Sequence, residues 1–338
     1  MKVMCIICML AVFSVGAASS IGAQTDWTFT QYSKDPILSP QLGYRGVYSP
    51  SVMKEGGIYK MWFAMADPVH DQVAYATSDD GSHWQNHGIL LQHGEFDKDF
   101  YRSTNYTSCQ KPGRGDMWDC LHTGDPEVIK VKGMYYLYYS GSYDPKGTGS
   151  IGLATSTDGV HWTKYSGNPI LKPGASYDNF WLQTPSVIYD DGTWKMWYSA
   201  REEDQTRSDR QSRIAYATSS DGIHWTKVGI ALEKGAASAW DHVGVNNPAI
   251  VKYKDKYIMT YGHSGQDGLG FALSDDGIRW EKYGSNPILR AEREGWNSRI
   301  ISPYLLADAA DFKLYYGGGN ISVKPWGPWK IGLAVMPF

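Results

Sequence analysis

The sequence lacks the features that would indicate a nucleic-acid-binding protein or a helical protein. Its 32 Lys and Arg and 35 Asp and Glu give a net charge of -3 and form no basic face or charge run, which argues against nucleic acid as a partner. No segment keeps the apolar periodicity of an amphipathic helix. A core must therefore come from other elements, and 338 residues suffice for one large core or two ordinary ones.

The start of the chain has the order of a secretory signal. Lys2 precedes an apolar run of about a dozen residues, and small residues follow that run. We predict that residues 1–24 are a signal peptide and that the mature protein, residues 25–338, is secreted or periplasmic and makes no membrane contact. A membrane anchor is the alternative, although the run is short for a span and no basic flank follows it.

Only four cysteines are present, and two of them, Cys5 and Cys8, would leave with the signal peptide. Cys109 and Cys120 remain. An even pair in an oxidising compartment predicts a disulfide, which would close a polar, Gly-containing loop. Two free buried thiols are the alternative.

One unit recurs along the chain. The motif S-x-D-G-x-x-W follows a short apolar strand pattern, an aromatic-rich strand pattern and a segment with Pro near its start; its copies lie at 78–84, 156–162, 219–225 and 274–280. A fifth unit lacks the motif. Four strands repeated five times predict an all-β, five-bladed β-propeller. The Asp-Gly turns and their Trp residues are assigned to structure, with each Trp packed between blades.

The N-terminal segment supplies a strand that the fifth unit lacks. Residues 26–38 resemble residues 161–171 and 279–289, which form an outer strand and the crossover to the next unit. We therefore predict that residues 27–32 pair with residues 330–336 and complete the last blade. A single domain without an open sheet edge would result.

The Pro-containing strands carry the candidate site. Strand alternation predicts that the residues before and after each Pro face the central channel. Asp125 and Glu127 are the acids among these pairs, whereas the other units have Ser49 and Ser51, Thr184 and Ser186, Asn247 and Ala249, and Ser302 and Tyr304. Two like charges in a narrow channel would raise one pKa and give an acid beside an anion. Buried structural acids are the alternative.

Further acids and histidines receive less specific roles. Glu202 follows an aromatic strand pattern and can lean toward the channel, although a solvated charged loop explains it equally well. Asp97, Asp178 and Asp241 recur where the fifth unit has Asn297, so a crossover turn or cap is predicted. His122, His242 and His263 lack metal-ligand spacing and are assigned to structure.

These units, the aromatic second strands and the Asp125-Pro126 pair resemble the five-bladed propeller glycosidases. That group includes the invertase and levansucrase families, the arabinanase and xylosidase family 43 and the mannoside phosphorylase family 130. The resemblance implies that Asp125 stabilises the transition state, as an Asp-Pro aspartate does in invertase-like enzymes. Ser49 and Thr184 stand where the nucleophile and the acid would be, so no single family is assigned.

Residues around the channel could bind a sugar. Trp118 and Trp181 suit stacking on the apolar face of a pyranose, and Asn247 lies at the channel. Arg45, Arg201 and Arg299 could donate hydrogen bonds to hydroxyl groups or to a substrate carboxylate. Trp240 and Trp296, beside the recurring Asp or Asn, are assigned to the core.

The sequence predicts a secreted glycoside hydrolase that acts on a plant or microbial poly- or oligosaccharide. Asp125 and a second carboxylate, Glu127 or Glu202, would cleave the glycosidic bond. A non-catalytic carbohydrate-binding propeller and a glycoside phosphorylase are the alternatives. No cofactor or metal ligand is predicted, whereas a structural calcium ion in the channel and the oligomeric state are left open.

Overall fold

β-strands make up the regular secondary structure. The computed structural model describes residues 26–68, 70–93, 118–142, 149–202, 211–323 and 328–338. These ranges contain 21 strands and no α-helix, so the predicted all-β class is confirmed. They accordingly offer no helix of the length and apolarity needed to cross a membrane.

The strands group into five units of similar layout. Unit 1 contains β2 (Gly46–Glu55), β3 (Ile58–Ala66), β4 (Asp71–Ser78) and β5 (Gln85–Leu91). Unit 2 contains β6 (His122–Val131), β7 (Met134–Ser142), β8 (Gly149–Ser156) and β9 (Thr163–Lys164). Unit 3 contains β10 (Trp181–Asp190), β11 (Thr193–Arg201), β12 (Ser212–Ser219) and β13 (Thr226–Leu232).

The remaining strands form two more units. Unit 4 contains β14 (Val245–Tyr253), β15 (Lys256–His263), β16 (Gly268–Ser274) and β17 (Glu281–Lys282), and β18 (Leu289–Arg290) also pairs with β16. Unit 5 contains β19 (Arg299–Ala307), β20 (Asp311–Gly319), β21 (Lys330–Pro337) and the N-terminal β1 (Thr30–Gln31). Pairing within every unit is antiparallel, and tight turns such as the Gly56-Gly57 turn, with positive φ at both residues, join the first two strands.

The first strand of each unit lies innermost. Each of β2, β6, β10, β14 and β19 contacts the first strand of the next unit, and β19 contacts β2. Units 1 and 2 are further joined by one parallel pair, Asp71 opposite His122. The five first strands therefore surround a common axis, and their Pro-containing segments meet there.

The Asp-Gly turns hold neighbouring units together. In unit 2, Asp158 accepts hydrogen bonds from the N–H groups of Val160 and His161, which fixes the turn. Trp62 of unit 1 donates to the Gly159 carbonyl at 2.9 Å, and the Trp162 ring packs edge-on against Trp62. Equivalent donors reach the other three turns, namely Tyr138 to Gly222, Trp197 to Gly277 and Tyr315 to Gly81. The predicted structural role of these motifs is confirmed.

The N-terminal segment packs on unit 5. Thr30 and Gln31 pair with Val335 and Ala334, two residues on each strand where the sequence predicted about six. Trp27 and Phe29 are buried beside this pairing, and the Trp27 ring centroid lies 4.2 Å from that of Phe271. Most of the contact is thus apolar packing rather than strand pairing.

A buried aspartate precedes the first strand of three units. Asp119, Asp178 and Asp241 each accept a hydrogen bond from the Tyr hydroxyl 20 residues later, and each carries a Lys ion pair; the tyrosines are Tyr139, Tyr198 and Tyr261, and the lysines Lys164, Lys227 and Lys282. Asp178 also accepts the N–H groups of Gly174 and Ala175, as a turn cap does. In unit 2 this position belongs to Asp119, whereas the predicted Asp97 lies outside the described residues.

The predicted disulfide and signal peptide concern parts of the chain that the structure does not describe. Cys120 is fully buried, directly before β6, and Cys109 lies outside the described residues. Residues 1–24 also lie outside them. Both remain predictions.

Candidate functional site

A pocket opens where the five first strands meet. Its lining comes from the Pro-containing segment of every unit: Ser49, Pro50, Asp125, Pro126, Glu127, Thr184, Pro185, Asn247, Pro248, Ala249, Ser302, Pro303 and Tyr304. The space at this site, open solvent at its entrance included, is about 310 Å³. Asp125 and Glu127 are its acids, so the structure brings together the two carboxyl groups that the sequence singled out.

A β-bulge, rather than regular alternation, turns both side chains of each pair toward the pocket. The residue before each Pro has a φ of 48° to 51°, and the strand register shifts at this point in every unit. Positive φ is uncommon outside glycine, although short polar residues such as Asp and Asn tolerate it best. The regular side-chain alternation on which the prediction rested is broken at this point. The two side chains of each pair face the pocket, as predicted, because of the bulge.

Asp125 is buried and accepts hydrogen bonds from both sides. Ser49 Oγ lies 2.6 Å from Asp125 Oδ1, and His122 Nε2 lies 3.3 Å from Asp125 Oδ2. Ser49 also contacts Ser302, whose hydroxyl accepts from Asn247 Nδ2 at 3.1 Å. A chain of short polar side chains from units 1, 5 and 4 therefore fixes this carboxyl group in the pocket.

His122 connects Asp125 to a second buried acid. Its Nδ1 lies 2.6 Å from Asp71 Oδ2, so each ring nitrogen faces a carboxyl oxygen. Burial alone lowers the pKa of His122, but Asp125 and Asp71 raise it to about 10. Although burial raises the pKa of Asp71, the neighbouring His122 holds it below its ordinary value. At neutral pH, His122 is an imidazolium.

Glu127 lines the same pocket and bridges units. Its Oε1 accepts the Val187 N–H of unit 3 at 3.1 Å, and its Oε2 lies 3.3 Å from Ser51 Oγ of unit 1. Hydroxyl groups in three other units also accept a backbone N–H of the next unit: Ser51 accepts from Val128 N, Ser186 from Ile250 N and Tyr304 from Val52 N. Glu127 thus takes a position that units 1, 3 and 5 fill with a hydroxyl group.

The protonation state of Glu127 differs from that of an ordinary glutamate. Burial raises its pKa to about 8, although hydrogen bonds from Val187 N–H, Ser51 and Ser186 lower it. A carboxyl group with this pKa keeps its proton at neutral pH and can donate it. The pocket therefore combines a neutral carboxylic acid with a carboxyl group that faces an imidazolium.

Glu202 lies elsewhere. Its side chain is 44% exposed and forms an ion pair with Arg213 at 3.0 Å, and it is not part of the pocket lining. This geometry corresponds to the solvated alternative that the sequence analysis left open. The structure brings Asp125 together with Glu127 and not with Glu202.

The two tryptophans predicted to bind sugar lie outside the pocket lining. Trp118 stacks near Tyr139, and its ring covers Gly141 and Gly152, where an added Cβ would lie only 2.2 and 2.6 Å from ring atoms. Trp240 packs on Tyr261 and Trp296 packs on Tyr316 in the same way, which agrees with their assignment to the core. Trp181 begins β10 and lies beside Gly149.

The three predicted arginines also lie outside the lining, whereas Asn247 is part of it. Arg45 donates through Nε to the Asp67 carbonyl at 2.7 Å, and the Arg201 guanidinium lies over the Phe180 ring. Arg299 begins β19, opposite Gly319.

The sequence analysis missed His122 and Asp71 as parts of the site. His122 lies three residues before Asp125, a spacing that could have drawn attention to it. Nothing in the sequence signals Asp71, because it begins β4 of the neighbouring unit. Over the described part of the chain, no three His, Cys, Asp or Glu side chains are arranged to hold a metal ion. His242 and His263 have structural partners, the Ala239 carbonyl and Asp267.

The chain is similar to carbohydrate-active enzymes in sequence. The family model of glycoside hydrolase family 130, described as β-1,4-mannooligosaccharide phosphorylase, matches residues 137–298. The uncharacterized protein MT1551 of Mycobacterium tuberculosis is 28% identical over 67% of this chain and 75% of its own length. A 1,2-β-oligomannan phosphorylase of Thermoanaerobacter sp. is 24% identical over 63% of this chain and 70% of its own.

Solved structures show the same architecture. A structure described as a BT0996 RGII complex gives a TM-score of 0.73 at 18% identity, over 92% of this protein and 93% of that one. A thermostable family-43 glycoside hydrolase gives 0.66 at 18% identity, over 87% and 90%. The predicted resemblance to the propeller glycosidase superfamily is confirmed, and the matches spread over several of its families. Several of the matched proteins are described as glycoside hydrolases or phosphorylases, which supports a carbohydrate-active enzyme.

Proposed function

We propose that this protein is a secreted glycoside hydrolase that cleaves plant or microbial oligosaccharides with Asp125 and Glu127. In this proposal the five units are blades of one propeller, which β1 completes, and the pocket at its axis binds the sugar. Residues 1–24 direct export, and Cys109 pairs with Cys120 in the oxidising compartment. Catalysis uses no cofactor.

The observation that carries the proposal is the pair of unlike carboxyl groups in one pocket. Glycoside hydrolysis needs one group that gives a proton to the leaving oxygen and one carboxylate that acts as base or nucleophile. Glu127, whose pKa burial raises to about 8, suits the acid. Asp125, between Ser49 and the His122 imidazolium, suits the carboxylate.

The test is hydrolysis of a panel of plant and microbial glycans by the wild type and by Asp125→Asn. The substitution keeps the size of the side chain but removes its charge, so we expect turnover to fall about 10²-fold or more. The melting temperature of the variant should stay close to that of the wild type. Glu202→Gln is the matched control and should keep its activity, because Glu202 lies outside the pocket lining.

Phosphorolysis is the second candidate, which the family match over residues 137–298 favours. A phosphorylase would release a sugar phosphate only when inorganic phosphate is added. Cleavage in phosphate-free buffer supports the hydrolase. Cleavage that requires phosphate and yields a sugar phosphate would replace it with the phosphorylase.

A binding module is the remaining alternative. Such a protein would cleave no glycan of the panel and would bind glycans with saturation. Asp125→Asn should then lower affinity little, because neutral hydrogen bonds to sugar hydroxyls survive. A variant that fails to fold would instead identify Asp125 as a structural acid.

A further inference from the structure

Two largely buried residues beside Asp125 take no part in the reaction proposed above. Asp71 begins β4 of unit 1, and His122 begins β6 of unit 2, and the two form a parallel pair between the units. The His122 ring lies between the Asp71 and Asp125 carboxyl groups, at 2.6 Å and 3.3 Å. None of the three side chains is more than 20% exposed.

The two contacts bear on the charge of the ring. A neutral imidazole has one N–H and one lone pair, so one of the two carboxyl groups would face a lone pair. With both nitrogens protonated, each carboxyl group receives a hydrogen bond from the ring, and the one to Asp71 is the shorter.

The backbone makes room for this arrangement. The φ of Gly124 is not positive, so its backbone conformation does not require a glycine. A Cβ at this position, however, would lie 2.8 Å from His122 Cε1 and 3.4 Å from Asp71 Cβ. The glycine between His122 and Asp125 therefore lets the ring lie beside the strand that carries both residues. Two other charged or titratable groups near the ring interact with Asp71. The Tyr48 hydroxyl is hydrogen-bonded to it, and Arg45 interacts with it electrostatically at longer range.

We propose that Asp71 and His122 form a positioning pair that fixes the Asp125 carboxyl group and directs its free lone pairs into the pocket. Asp71 holds the imidazolium through Nδ1, and the imidazolium holds Asp125 Oδ2 through Nε2. Ser49 takes one position on Asp125 Oδ1, so the remaining lone pairs of Asp125 are those that can face a substrate. This inference rests on the proposed function, because it assigns Asp125 the role of the reacting carboxylate.

The first test needs no substrate. The ring signals of His122, identified by their loss in His122→Gln, are titrated by NMR in the wild type and in Asp71→Asn. We expect the wild-type imidazolium to persist to about pH 10, and its pKa to fall by about one unit or more in Asp71→Asn, where one carboxylate is gone. Titration of wild-type His122 near its ordinary value would overturn the proposal.

The second test is the split between kcat and KM on a glycan that the wild type hydrolyses. His122→Gln removes one of the groups that hold Asp125, so we expect kcat to fall about tenfold or more while KM changes little. His83→Gln is the matched control, since it removes an exposed His–Asp contact of 2.7 Å outside the pocket lining, and should leave both constants unchanged. An unchanged kcat in His122→Gln would contradict the proposal.

The two tests separate this inference from the proposed function. If the wild type cleaves no glycan, the hydrolase proposal fails, and the NMR titration still decides whether the pair holds an imidazolium. If glycans are cleaved but His122 is neutral at pH 7, the hydrolase stands and the positioning pair is wrong. Should His122→Gln not fold, the histidine ring signal whose pKa falls in Asp71→Asn identifies His122, and the NMR titration can still be made.

Discussion

At the scale of single residues, the buried proton of Glu127 makes the free energy of unfolding depend on pH. The folded state holds this proton up to a pKa of about 8, whereas the unfolded chain releases it near the ordinary value of 4.5. The contribution of Glu127 to stability is therefore complete below about pH 4.5 and is lost as the pH rises through about 8.

The loss of stability with rising pH should be absent in Glu127→Gln. The variant has no proton to lose, so the stability of the wild type relative to the variant should decline from about pH 4.5 to about pH 8, by at most about 1.4 kcal/mol per pH unit. Urea denaturation of both proteins across this range measures the difference. Glu202→Gln, at an exposed acid, should give curves parallel to the wild type. Parallel curves for Glu127→Gln would refute the buried proton.

Some residues of the site were predictable because the repeat isolates them. Asp125 and Glu127 stand out since four other units have Ser, Thr, Asn, Ala or Tyr at the same places. Asp71 was not predictable, because its distance to His122 depends on one parallel contact between two units. The sequence left Glu202 open between the channel and a solvated loop, because its ion pair with Arg213 depends on a three-dimensional register that the sequence does not contain.

At the scale of strands, the first strands are joined by side chains that accept backbone N–H groups of the next unit. Ser186 Oγ accepts the Ile250 N–H at 3.0 Å, and both groups are buried. This contact joins β10 to β14, which are not paired as strands in the described part of units 3 and 4.

Removal of this hydroxyl group should therefore be destabilising. Ser186→Ala leaves the buried Ile250 N–H without its acceptor, which costs about 1–3 kcal/mol. Chemical denaturation compares it with Ser285→Ala, an exposed turn residue whose substitution should stay within about 0.5 kcal/mol of the wild type. Equal stabilities of the two variants would show that Ile250 N–H finds another partner at little cost.

The order of the strands was predictable from hydrophobic pattern and turn residues, but the backbone of the pocket was not. A Ser-Pro or Asp-Pro pair in an alternating strand gives no sign that the residue before Pro has a left-handed φ. The register shift recurs in all five first strands, and no single segment of the sequence reveals it. The predicted cap Asp97 lies outside the described residues and stays a prediction, whereas Asp119 makes the contacts that Asp178 and Asp241 make in units 3 and 4.

At the scale of the whole molecule, residues 26–32 join the beginning of the chain to its end. Trp27 and Phe29 are 2% and 5% exposed and pack in one cluster with Phe271 and Phe312. Burial of two large aromatic side chains contributes about 2–3 kcal/mol each. The two residue pairs of β1 with β21 add less than this packing.

Truncation tests this contribution. Deletion of residues 1–32 should lower the melting temperature or cause aggregation, because it exposes the edge of β21 and the apolar cluster beneath it. Deletion of residues 1–24 is the control and should leave the fold intact. Identical melting curves for the two truncated proteins would mean that the N-terminal segment does not support unit 5.

The left-handed residue before each Pro also bears on how such a site could change over generations. Asp and Asn tolerate this φ better than other side chains with a Cβ, so Ser49, Thr184, Asn247 and Ser302 occupy backbones already suited to an acid. A single substitution could install a carboxyl group in any unit without a new fold. The architecture therefore permits acidic side chains to be redistributed around the axis by few substitutions.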